Sequence, residues 1–137
     1  MDDLIDRAHE AYAEAYTPYS EYPVGAALRT TNGTVYTGCN IENANYSNSL
    51  HAEEVALGKA ISDGSREFDQ LAVVSEVSDG LTPCGMCRQT LAEFCADSFE
   101  IITETDGKRQ RYTLGELLPE TISSDQLERA NSKRGDQ

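Results

Sequence analysis

Two short clusters of metal-binding side chains, His51-Ala52-Glu53 and Cys84-Gly85-Met86-Cys87, lie 33 positions apart in a chain of 137 residues. Any fold that uses them together must bring two distant segments to one point, and no other feature narrows the possibilities as much. Cys84 and Cys87 are three apart, hence on one face of a first helical turn, where free N–H groups and the helix dipole favour thiolates. Pro83 suits the start of such a turn. A close cysteine pair in a chain without an export signal is more often a metal or redox site than a disulfide, whereas Cys39 and Cys95 sit among apolar neighbours and read as small buried hydrophobes.

The hydrophobic pattern supplies a frame that can do this. Leu4, Ile5, Ala8, Ala11, Tyr12 and Ala15 recur at helical spacing over residues 2–16, and Thr17-Pro18 ends that helix. Val24 to Leu28 and Val35 to Ile41 read as two strands joined by a two-residue Asn32-Gly33 turn. A second helix opens at His51 and stops at Asp63-Gly64, and Leu71 to Val77 is an inner strand closed by Asp79-Gly80 and Pro83. A third helix runs from Cys84 to about Ala96. Phe99 to Thr105 and Arg109 to Thr113 form an antiparallel hairpin around Asp106-Gly107, Leu114 to Leu118 make a turn or two of helix, and residues beyond about 125 are polar enough to be mobile.

That order predicts an α/β fold, a three-layer sandwich of one mixed five-stranded sheet flanked by helices. Residues 1–125 form one domain, and 126–137 a tail. The helices opening at His51 and Cys84 flank the third strand, so their N-termini can meet at one edge of the sheet.

Two thiolates and a neutral imidazole are three ligands, the count of a catalytic zinc site whose fourth position is left to water. Glu53, two residues from His51, would point away from it on an ideal helix; His51 must therefore stand at the very start. A carboxylate there can accept a proton from a metal-activated water and return it to a departing group, the work of a general acid–base. A thioredoxin-like redox pair would leave His51-Ala52-Glu53 without a role. A purely structural zinc site would need a fourth ligand, for which only Cys39 or His9 offer sulfur or imidazole.

Twenty-four acidic against 11 basic residues give a net charge of −13, which opposes binding to polyanionic nucleic acid. The same excess of acid suggests adaptation to a high-salt cytoplasm. No apolar run is long enough to span a membrane, and Met1-Asp2-Asp3 is acidic where a secretory signal is basic, so a cytoplasmic location is expected.

His51-Ala52-Glu53 with Pro83-Cys84-Gly85-Met86-Cys87 matches the signature of zinc deaminases. Together with Pro18-Tyr19-Ser20, Val24-Gly25-Ala26-Ala27-Leu28, Gly38-Cys39-Asn40-Ile41-Glu42-Asn43-Ala44, Arg88-Gln89 and Glu116-Leu117-Leu118-Pro119, the chain resembles the small, homotetrameric cytidine deaminases over residues 1 to about 125. The resemblance implies one zinc per subunit held by His51, Cys84 and Cys87, and Glu53 as the proton-transfer group. It also implies sugar hydroxyls gripped by Asn40 and Glu42, and a base read by the backbone at Ala52 and Cys84. Tyr22 stands where relatives place a phenylalanine facing the nucleoside. Ile122 replaces an aromatic that in relatives enters a neighbouring subunit's pocket, and Tyr46 is a second cross-subunit candidate.

His51 stands where small members commonly have a cysteine, and Glu54 where they have an arginine that offsets three thiolates. The two changes are mutually consistent, because imidazole removes the excess negative charge. Deaminases of nucleoside antibiotics such as blasticidin S share the zinc residues and remain the nearest alternative, with Asn40-Ile41-Glu42-Asn43 favouring cytidine. An inactive zinc-binding interaction module would need a broken site, and none of the four residues is missing. In polynucleotide deaminases the last two strands are parallel and joined by a helix, for which Asp106-Gly107 leaves no room.

Overall fold

The computed structural model describes residues 3–77 and 80–135, with side chains described up to residue 129. Helix α1 (Leu4–Tyr12) is followed by β1 (Val24–Thr30), β2 (Val35–Cys39), a 3-10 turn (Tyr46–Asn48), α2 (Ala52–Ser62) and β3 (Phe68–Ser75). Then come α3 (Gly85–Phe94), β4 (Glu100–Thr105), β5 (Lys108–Thr113), α4 (Leu114–Leu117) and α5 (Ser124–Gly135). The strands form one sheet in the order β2-β1-β3-β4-β5, in which only β3 and β4 run parallel. The three-layer sandwich with a closing antiparallel hairpin is therefore as expected from the order of elements.

Alternation along the central strands builds two cores. Ala26, Leu28, Leu71 and Ile101 face α2 and α3 through Ala52, Ala56, Leu57, Ala60 and Leu91. Ala27, Ala72, Val74 and Ile102 face Leu4, Ile5 and Ala8 of α1 on the opposite side. Period-two alternation sends neighbouring residues to opposite faces, so a sheet covered on both sides is apolar at nearly every central position.

Gly38 sets how closely α2 approaches. A Cβ there would stand 2.3 Å from the Ala52 carbonyl oxygen and 2.6 Å from the Ala56 nitrogen. The first turn of α2 thus rests directly on the β2 backbone, and any side chain at position 38 would push it away.

Several boundaries differ from the sequence reading. Helix α1 stops at Tyr12 rather than near residue 16, because Tyr16 gives its backbone to the Asn40–Glu42 segment: its N–H donates to the Asn40 carbonyl at 3.0 Å, and its carbonyl accepts from Glu42 N–H at 2.9 Å. The β1–β2 connection is a three-residue loop, Thr31 to Gly33, not a two-residue turn. Thr30 pairs with Thr34, the Gly33 N–H returns to the Thr30 carbonyl, and Gly33 has φ +93, a left-handed geometry suited to glycine. Strand β3 begins at Phe68, drawn in by pairing with Thr30, and ends at Ser75. Of the closing Asp79-Gly80 signal, Asp79 lies outside the described residues. Asp106-Gly107 does make the tight turn, both residues having positive φ.

The segment expected to be a polar, mobile tail is helical: α5 starts from Ser123, whose N–H donates to the Gln126 side chain at 3.1 Å and whose carbonyl accepts from Gln126 N–H. Gln, Leu, Glu, Arg and Ala at 126–130 are good helix formers, and their propensity acts where no packing competes. The side chains from Ser124 to Arg129 are exposed. The outer strand β5 is also largely exposed, and its arginines pair with acids of neighbouring elements, Arg109 with Asp3 and Arg111 with Glu100.

Replacing Gly38 by alanine should cost about 3 kcal/mol, the upper end of overpacking penalties, measured as a lower urea midpoint with unchanged slope.

Candidate active site

The two clusters meet at one edge of the sheet because each opens a helix. His51 is the N-cap of α2, with extended backbone (φ −86, ψ 149), and Cys84 is the N-cap of α3 (φ −67, ψ 170). An N-cap residue leaves the chain before helical geometry begins, so its side chain projects over the helix end. The His51 Nδ1 atom lies 3.2 Å from Cys84 Sγ and 3.4 Å from Cys87 Sγ, and all three atoms lie within 4.8 Å of one another.

A tetrahedral zinc with ordinary Zn–N and Zn–S bonds places nitrogen and sulfur roughly 3.5 Å apart. The three donors thus fit zinc, and their softness suits it. No fourth histidine, cysteine or acid joins this group among the described residues. His9, one of the two candidates for a structural fourth ligand, is engaged elsewhere by Glu104, at 2.7 Å from Nε2.

Around the donors the electrostatics are opposed. Burial, the neighbouring Glu53 and the Cys84 sulfur push the Cys87 thiol well up, so without a cation it is held protonated. Burial likewise raises the Glu53 carboxyl, only partly offset by its own backbone N–H, by His51 and by hydrogen bonding with Cys87. A divalent cation reverses this logic for the sulfur and for the acid beside it.

Glu54, an unexplained acid in the sequence, has a clear task. Its Oε1 accepts from the His51 N–H at 2.9 Å, closing the first turn of α2 and tethering the backbone that carries the imidazole. Arg88 secures the other cluster. It donates to the Pro83 carbonyl (2.7 Å), the Thr82 hydroxyl (2.9 Å) and the Leu117 carbonyl (2.7 Å), tying the loop before Cys84 to α4.

A cavity of about 220 Å³ opens beside the donors, lined by His51, Cys84, Ala52, Glu53, Asn40 and Glu42, with Val24, Ser49, Leu50, Leu81 and Thr82 completing it. Ser49, Leu50, Leu81 and Thr82 carried no recognisable signal in the sequence, and Val24 only that of a strand within a family motif. Asn40 accepts from Val24 N–H and donates to the Tyr22 carbonyl, each at 2.8 Å. The Glu42 carboxylate accepts from the Ser20 hydroxyl and from the N–H groups of Tyr19 and Ser20, which hold its carboxyl below the usual range.

Three predicted residues are not brought to this cavity. Tyr22 is not among its lining, although its backbone is gripped by Asn40. Ile122 is 56% exposed. Tyr46 stands edge-on to Tyr19 at 6.0 Å in an adjoining cavity of about 380 Å³, which shares Glu42 and Ser49 with the first.

Residues 1–103 match the model of the cytidine and deoxycytidylate deaminase zinc-binding region. The chain belongs to that family. It is 45% identical over 128 residues to the cytidine deaminase of Sporosarcina psychrophila, covering 93% of this chain and 94% of that protein. The crystal structure of cytidine deaminase from Burkholderia pseudomallei superposes with a TM-score of 0.82 at 41% identity, covering 87% of this chain and 96% of the other. A blasticidin-S deaminase of Bacillus cereus is more distant, 33% identical over 85% of this chain and 88% of its own length.

Purified protein is expected to carry about one zinc per chain by elemental analysis. Cys84→Ser and His51→Ala should lose the metal while circular dichroism shows the fold retained.

Proposed function

We propose that the chain catalyses the hydrolytic deamination of cytidine and deoxycytidine to uridine and deoxyuridine, releasing ammonia. The observation that carries this reading is the meeting of three metal donors with a buried carboxylate at a cavity that also holds Asn40 and Glu42. His51, Cys84 and Cys87 hold zinc. When bound, zinc acts as a Lewis acid that brings a water near neutral pKa and makes it nucleophilic.

Glu53 moves the protons. Buried at the cavity beside the donors, it is placed to accept one from the attacking water and pass it to the pyrimidine N3, then to take the proton of the new C4 hydroxyl and deliver it to the leaving amine. Ala52 and Cys84 line the same cavity, and their backbone groups are read as the contacts to the base. Asn40 and Glu42 receive the sugar. After its two internal bonds the Asn40 amide retains one N–H, and Glu42 retains an acceptor, a complementary pair for a hydroxyl. An anionic Glu42 disfavours a phosphorylated substrate, which makes the nucleoside the better ligand.

The domain is taken as residues 1–125 with 126–137 as an appendage. Assembly is by copies of this chain, to a tetramer, so that Tyr46 and Ile122 complete a neighbour's pocket and Tyr22 packs at the nucleoside. Exposed Met86 and Phe94 on α3, and a groove between α2 and α3 bordered by Leu57, Ile61 and Phe94, support such packing. Sedimentation should give the mass of four chains. A cytoplasmic location accords with described helices none of which is long and apolar enough to cross a membrane. The acidic surface is read as salt adaptation; equal activity and stability in dilute buffer and in molar KCl would remove that reading.

Cytidine mixed with the protein should lose its ultraviolet absorbance, and a zinc chelator should stop the change. Rates on blasticidin S measured alongside should be far lower. Glu53→Gln should lower kcat about a thousandfold with zinc content unchanged.

A further inference from the structure

Glu42 is not a free carboxylate at the mouth of the cavity. Its Oε1 accepts two backbone N–H groups, from Tyr19 at 3.0 Å and Ser20 at 3.1 Å, and its Oε2 accepts the Ser20 hydroxyl. The Ser20 hydroxyl oxygen is in turn an acceptor for the Tyr22 N–H at 3.1 Å. With that lone pair occupied, the hydroxyl proton is directed to Glu42, and a relay runs from Tyr22 N–H through Ser20 to the carboxylate.

A carboxylate offers about four acceptor positions, so three of them are filled from within the protein. What remains is about one. A carboxylate with one open position, held from both oxygens, presents a fixed acceptor to a single hydroxyl; a carboxylate free to rotate presents none in particular.

The same serine lies in a segment with few other restraints. Residues 17–23 carry no helix or strand, and Glu21 within them has φ +55, an uncommon left-handed conformation for a non-glycine residue. Its Tyr19 and Ser20 N–H groups donate to Glu42, its Tyr22 and Pro23 carbonyls accept from the Asn40 amide and the Ser75 hydroxyl, and the Glu21 N–H closes a turn on the Thr17 carbonyl.

We propose that Ser20 is a positioning residue for sugar recognition: by donating its hydroxyl to Glu42 while accepting from Tyr22, it locks the carboxylate so that one acceptor position faces one substrate hydroxyl. This rests on the reading of Glu42 as a sugar contact. Ser20 itself need not touch the substrate. Its removal should loosen ground-state binding of the sugar and leave the chemistry at the metal alone.

The test is steady-state kinetics with cytidine, 2′-deoxycytidine and 3′-deoxycytidine for the parent protein, Ser20→Ala, Ser20→Thr and Glu42→Gln. For Ser20→Ala the KM for cytidine should rise about tenfold, the loss expected for one charge-assisted hydrogen bond, while kcat stays within about twofold. The rise should largely vanish with whichever deoxy analogue lacks the hydroxyl that Glu42 receives, and Ser20→Thr, which keeps the donor, should recover most of the affinity. A KM rise equal for all three substrates, a fall in kcat alone, or no change on losing the hydroxyl would overturn the role of Ser20. Glu42→Gln separates the two readings. If it shows hydroxyl-dependent losses and Ser20→Ala does not, only the serine's role fails; if neither does, the sugar assignment of Glu42 fails with it.

Discussion

The first turn of α2 lies against β2 at a point where no side chain intervenes, and much of the site depends on that contact. Gly38 brings the Ala52 carbonyl and Ala56 nitrogen down onto the strand, and the residue just before that turn is His51. Glu54 then holds the His51 backbone from within the helix. On the other side of β3, Arg88 performs the corresponding task for the Cys84 loop by engaging two carbonyls and a hydroxyl. Neither anchor touches the three donors' metal-facing atoms. Both determine where those atoms stand, which is how a site assembled from separate helix ends keeps its dimensions.

Burial acts in two directions at this place. It keeps Cys87 and Glu53 away from water, which disfavours charge on both. It also means that a cation entering the site meets little competing solvent, so its attraction for the thiolates and its effect on the adjacent acid are strong. The two helix N-termini add positive potential from the backbone. The acid three residues after His51, Glu54, is engaged by the His51 backbone N–H, and its charge adds only the last of the contributions that raise the Cys87 thiol.

The architecture was legible because alternation, turn chemistry and helix stops agree with one another. His51 as the start of α2 could be deduced from a conflict, since Glu53 had to approach an ion held by a residue only two positions away. The Asn40–Glu42 pair was legible by resemblance alone, and the structure adds which of their atoms are already engaged. Less legible were features set by tertiary pairing. Tyr16 leaves the helix because a strand edge claims its backbone, and Phe68 joins β3 because Thr30 is there to pair with. Thr82 and Leu81 line the cavity through the path of a loop, which no periodicity records. Tyr22, Ile122 and Tyr46, read from resemblance, lie off the main cavity of this chain.

The outer borders of the sheet have a consequence for how such molecules can associate. On β5, Arg109 and Arg111 are held by Asp3 and Glu100, and along β2 the Lys59 ammonium covers the Thr37 carbonyl at 2.7 Å. Strands dressed in this way are poor templates for a passing chain to extend. Crowded copies are thereby hindered from joining edge to edge into a continuous, fibre-like sheet.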